Sequence, residues 1–150
     1  MGAYQTILVG TDGSDSSYRA VERAAEVAAG SAAKLVIVCA YMPATRQEIA
    51  SAEDVLGDEA YQVVGSAPAE DTLRTAAERA AKHGAVSVER AAVAGEPVKA
   101  LIGAIGDHRA DLLVVGNRGL NTLAGRILGS VPADVTRRAA CDVLIVHTVR

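Results

Sequence analysis

Two rhythms of apolar residues alternate along the chain. Continuous apolar runs of strand length occur at "YQTILVGT" (4–11), "KLVIVCAY" (34–41), "VSVERAAV" (86–93), "ADLLVVG" (110–116) and "CDVLIVHTV" (141–149). Between them, apolar positions recur at helical spacing. A first helix is predicted from Ser14 or Asp15, with Ala20, Val21, Ala24, Ala25, Val27 and Ala28 on one face and Gly30 as its end. Pro68 opens a second, with Leu73, Ala76, Ala77, Ala80 and Ala81 on one face, Lys82 and His83 in the last turn and Gly84 as the stop. A cation beside the last carbonyls is favourable, which accounts for His83 without catalysis. "GEPVKALIGAIGDH" (95–108) predicts a third helix, with Pro97 in its first turn and Val98, Leu101, Ile102 and Ile105 as its buried stripe. "SVPADVTRRAA" (130–140) predicts a short fourth, with Pro132 early and Arg137 and Arg138 late.

Strands alternating with helices predict a parallel sheet covered on both faces, an open α/β fold. A chain of 150 residues is expected to form a single domain, 1–150. Residues 42–67 interrupt the rhythm and are too long for an ordinary connection. A surface excursion and a lid or partner-contact element both remain open for them.

Composition narrows the picture. Half of the residues are hydrophobic, yet there is no Phe, no Trp and only four Tyr, so the core must be Val, Ile and Leu, with Ala letting helices lie close. The net charge of −3 and the absence of a basic block argue against nucleic acid. No apolar run is long enough to span a membrane, and no basic flank precedes the first one, so a cytoplasmic protein is expected. Cys39 and Cys141 border apolar runs and read as small buried hydrophobes. No Cys-x-x-Cys or His-Glu-x-x-His spacing supports a built-in metal site. His108, in a polar turn, and His147, in the last strand, read as structural.

Two stretches carry candidate chemistry. "VGTDGSDSS" (9–17) follows the first strand with two glycines and a hydroxyl cluster. It suits either a phosphate loop or a helix cap. "VVGNRGLNTLAGRILGSVPADV" (114–135) begins at the carboxyl edge of the sheet, where open parallel sheets bind ligands. Gly116, Gly119 and Gly129 let amides approach an anion, Ser130 is read as the cap of the following helix, and Arg118 and Arg126 add charge. A helix N-terminus with free N–H donors favours phosphate.

The spacing Gly116-x2-Gly119-x9-Gly129-Ser130 resembles the nucleotide-binding branch of the universal stress protein family. The likeness runs the length of the chain, through "TILVGTDGSDSS", "ADLLVVGNRG" and "VLIVH". It implies strand order 3-2-1-4-5, a homodimer and a bound adenine nucleotide: ATP by family habit, with AMP or cyclic AMP as alternatives and a divalent metal accompanying a triphosphate. Carried over position by position, Gly10 and Asp12 line the adenosine side and the backbone of Ala40 contacts the adenine. Gly116 and Gly119 hold ribose and phosphates, and Gly129, Ser130 and Val131 supply phosphate-binding amides and a hydroxyl. Arg118 stands where the family often has a small or charged residue.

An ionised Asp12 only accepts hydrogen bonds. It repels a triphosphate and suits ribose hydroxyls or the adenine amine, which places it at the nucleoside end. Ser14 and Asp15 read as helix caps. "TDGSDS" is also similar to the S-G-G-x-D-S loop of ATP pyrophosphatases, so an ATP-cleaving or adenylating enzyme is the alternative; Asp12 replaces a glycine of that loop and argues against it. A Walker-type P-loop is absent at motif level. Given the implied strand order, Val143–Val149 is an apolar edge without proline or lysine, and pairing with a second copy covers it. The same order puts the cysteines three strand steps apart, beyond disulfide reach. The expectation is a dimeric adenylate receptor with little or no turnover; the adenylating enzyme and a scaffold with a vestigial pocket are the other readings.

Overall fold

Within each central strand, alternate residues bury against opposite sides of one sheet. A computed structural model describes residues 2–43, 66–118 and 130–148. Its strands are β1 (Thr6–Gly10), β2 (Lys34–Tyr41), β3 (Ser87–Ala94), β4 (Leu112–Gly116) and β5 (Asp142–Val146). All adjacent pairs are parallel, in the order β3-β2-β1-β4-β5 expected from the sequence. The helices are α1 (Asp15–Ser31), α2 (Ala67–Lys82), α3 (Pro97–His108) and α4 (Ser130–Arg138).

Ile7, Val9, Leu35, Ile37, Leu112 and Val114 meet the alanine-rich faces of α1 and α2. Leu8, Val36, Val38, Leu113 and Val115 meet α3 and α4. Each such side chain contributes about 1.5–3 kcal/mol relative to exposure. Small helix residues serve this arrangement: Ala20, Ala24, Ala25 and Ala28 are fully or almost fully buried against the sheet. Cys39 is buried, Cys141 is half-buried, and both are free thiols. Among the described residues, no helix is long and apolar enough to cross a membrane.

Several local expectations are corrected. Helix α1 does not stop at Gly30. It runs to Ser31, and Ala32 takes the left-handed conformation (φ 53°) while its N–H donates to the carbonyls of Ala28 and Ala29. On α2 the contact row is Ala69, Leu73, Ala76 and Ala80; Ala81, about 100° further round the helix, is exposed. On α3 Ile102 is only half-buried, and Ala104 takes its place in the stripe. The third strand begins at Ser87, leaving Val86 exposed. His108 is the last residue of α3, its Nδ1 2.9 Å from Glu89 Oε2, rather than part of a turn. Strand β5 ends at Val146, so His147 and Thr148 lie beyond the ladder, and Val149 lies outside the described residues. Most of the 42–67 insertion (44–65) lies outside the described residues.

Candidate functional site

The order β2-β1-β4 makes β1 and β4 neighbours whose connecting helices leave on opposite faces of the sheet. Their carboxyl ends therefore open into the crevice where ligands of such sheets bind. Two segments meet there: residues 11–17 after β1, and Gly116–Arg118 after β4.

The first segment answers the question of its own sequence. Gly13 turns the chain with φ +84°, a conformation that side chains rarely adopt. Ser14 is the N-cap of α1, its Oγ accepting from Ser17 N at 3.1 Å. The N–H of Asp12 donates to Ser17 Oγ at 3.3 Å, that of Gly13 to Thr11 Oγ1 at 3.2 Å, and that of Ser14 to Asp12 Oδ1 at 3.0 Å. Thr11 Oγ1 and Ser17 Oγ lie 2.8 Å apart, and Ser17 Oγ donates to Ser14 O at 2.9 Å. The hydroxyl cluster thus engages the amides of Asp12, Gly13 and Ser17, and the Asp12 carboxylate that of Ser14. A phosphate-cradling loop, as in the ATP pyrophosphatases, needs such amides free.

Asp12 is left with one unmatched atom. Its Oδ2 is buried and, among the described residues, has no hydrogen-bond partner. A buried acceptor without a donor is costly, so this oxygen suits a ligand that brings an N–H or O–H. The same carboxylate acts on Cys39: burial first, then the Asp12 charge, then Glu70 push the thiol up to about 11. Cys39 is therefore a neutral wall residue, not a nucleophile.

The second segment is fastened to the end of β5 and to Thr148 beyond it. Asn117 N donates to Val146 O at 2.8 Å. Asn117 Oδ1 accepts from Thr148 N at 2.9 Å and from Thr148 Oγ1 at 3.0 Å. The first of these is the last rung of the β4–β5 ladder; beyond it the Asn117 side chain takes the N–H of Thr148, and the strand ends short of its apolar run. Gly116 has a reason for being glycine that its spacing does not show. A Cβ there points at Thr148 and, at 3.8 Å, Ser16 Oγ, so the missing side chain makes room for the protein itself.

Of the predicted site residues, Gly10 and Gly116 end β1 and β4, Asp12 lies in the loop from β1 to α1, and Ala40 lies near the carboxyl end of β2. Arg118 is exposed just after β4. Val131 is buried against the α3 and α4 face of the sheet, so its side chain faces the core rather than a ligand. Helix α4 is described from Ser130 onward, and the Ser130 side chain, Gly119, Arg126 and Gly129 lie outside the described residues. Sequence reasoning missed Thr11, Ser16, Ser17, Asn117 and Thr148 as the framework of the crevice. The clustered hydroxyls of "SDSS" were the available signal for the serines; Thr148 had none.

The sequence matches the model of the Universal stress protein family over residues 3–147. It is 57% identical over 148 residues to universal stress protein Rv1636 of Mycobacterium tuberculosis, with 99% of each chain covered. It is 32% identical over 144 residues to the universal stress protein in the QAH/OAS sulfhydrylase 3′ region of Thermus aquaticus, covering 96% of this chain and 99% of that one. Among solved structures, a universal stress protein crystallised in complex with cAMP superposes with a TM-score of 0.76 at 50% identity, over 99% of this chain and 100% of that chain.

Proposed function

The chain belongs to the universal stress protein family, and from that premise we propose that it is a single-domain, cytoplasmic, dimeric adenine-nucleotide receptor that holds its ligand with little or no turnover. The buried, unpartnered Oδ2 of Asp12 carries the reading. It wants a neutral donor, and an adenylate offers ribose hydroxyls and an exocyclic amine. Gly10, Asp12 and the Ala40 backbone take the nucleoside end. Arg118 and the Gly116-x2-Gly119-x9-Gly129-Ser130-Val131 segment take the phosphates. The engaged amides of the first loop support this division, because they leave phosphate contacts to the second segment. Cyclic AMP is the leading candidate, since a universal stress protein at 50% identity was crystallised with cAMP.

The dimer is proposed through β5, the edge strand of the sheet. Its Ile145 is 46% exposed, and pairing with a second copy covers this apolar edge.

Calorimetric titration and thermal shift with cAMP, AMP and ATP test the receptor reading. Ligand at 100-fold over its dissociation constant adds about 2.7 kcal/mol of stability. No heat and no shift with any of the three sinks it. A burst of phosphate from ATP in a single turnover restores the enzyme in its place.

A further inference from the structure

We propose that Thr148 is a positioning residue of the adenylate site. It ties the start of α1 to the exit of β4 and so fixes the width of the crevice between them. The inference rests on the receptor reading above. Thr148 is 2% exposed, so it acts through its neighbours rather than on a ligand.

Three of its atoms are fixed at once. Its N–H and its hydroxyl both donate to Asn117 Oδ1, at 2.9 and 3.0 Å. Its carbonyl accepts from Arg19 Nη1 at 2.7 Å. Its Oγ1 also lies 2.5 Å from Ser16 Oγ. A hydroxyl has one proton, and that of Thr148 goes to Asn117, so Ser16 is the donor in this last pair. The result is a directed chain, Ser16 to Thr148 to Asn117, that crosses from one half of the crevice to the other. Ser16 stands in the first turn of α1, directly after the Asp12 loop, and Asn117 directly follows Gly116.

The pieces on either side are rigid in themselves. Ser14 caps α1, and Asn117 N is bonded to Val146 O. The β1–β4 ladder holds them together as far as Val9 and Val114, and beyond that pair the link sets how their ends are spaced. Burial strengthens such a chain and makes a broken link costly, because the remaining donor loses its partner. Geometry held in this way changes affinity without contact with the ligand.

The test uses the full chain with cAMP and ATP as probes. Thr148→Val keeps the shape and removes the hydroxyl; Thr148→Ser keeps the hydroxyl. We expect Thr148→Val to remain folded by circular dichroism and to bind the adenylate about tenfold more weakly, with Thr148→Ser restoring affinity. Wild-type affinity in Thr148→Val overturns the inference. Should that variant not fold, Ser16→Ala decides, since it cuts only the link to α1: weakened binding supports the inference and unchanged binding overturns it. A wild-type chain that binds neither probe overturns the receptor reading instead, and this inference with it.

Discussion

Thr148 fills the space that a side chain on Gly116 would take, with its Cγ2 and Oγ1 both 3.2 Å from an ideal Cβ there. The threonine cannot withdraw, because its N, O and Oγ1 are all bonded. Gly116→Ala is therefore expected to cost about 1–3 kcal/mol by overpacking. Gly103 is the control: it lies in the interior of α3 with nothing within 4 Å of its ideal Cβ, and Gly103→Ala should stabilise by about 0.5–1 kcal/mol. Denaturant melts of the two variants measure both signs. A Gly116→Ala protein as stable as its parent shows that Thr148 can move after all.

Asp12 is expected to trade stability for binding. Asp12→Asn keeps an oxygen for the N–H of Ser14, now bonded at 3.0 Å, and replaces the unpartnered Oδ2 with a donor. Removing a charge whose Oδ2 is buried without a partner leaves the ligand-free protein at least as stable. Presenting a donor to a ligand donor should weaken adenylate binding by about tenfold or more, the range of a lost charged hydrogen bond. A thermal melt without ligand and a cAMP titration read the two effects separately. Unchanged affinity means that the nucleoside end lies elsewhere.

Strand identity was legible because β1, β2 and β4 bury both faces and so read as unbroken apolar runs such as "TILVG" and "LLVVG". Ends were less legible where the stop is made at a distance. β5 ends at Val146 because a side chain 31 positions away, that of Asn117, takes the N–H of Thr148. The expectation for Asp12 came from the resemblance and from charge, since an acceptor does not suit a phosphate. That its Oδ2 is buried and unmatched is a fact of packing that no spacing reveals. Gly116 was read for its freedom toward a ligand; the crowding by Thr148 and Ser16 is a further constraint that only the closed sheet brings about.

The two left-handed helix ends carry residues that dislike that conformation. Ala32 ends α1 at φ 53° and Arg109 ends α3 at φ 54°. Glycine is the usual residue there because a Cβ crowds the backbone. Ala32 is exposed, so Ala32→Gly loses little packing, and we expect a gain of about 0.5–1 kcal/mol after the extra freedom of glycine in the unfolded chain is deducted. Gly30→Ala, at an exposed helical site with nothing within 4 Å, should stabilise as well. Urea midpoints test the pair; destabilisation by Ala32→Gly contradicts the reading of this helix end.

Alkaline sensitivity should trace to Cys39. Its thiol is 5% exposed, and burial together with the Asp12 and Glu70 charges moves its pKa from 9.0 to about 11. Well below pH 9 both the folded and unfolded states hold the proton, and this group adds no pH dependence. Between 9 and 11 the unfolded chain ionises first and the folded one keeps its proton, so stability falls as pH rises; beyond 11 the loss levels off. The loss is on the order of 2 kcal/mol. Lysines and tyrosines titrate in the same range, so the measurement is a difference: urea melts of the parent and of Cys39→Ala across that window. The stability gap between the two should shift in the variant's favour as the pH rises. A gap independent of pH means that the Cys39 thiolate is accommodated in the folded protein as readily as in water.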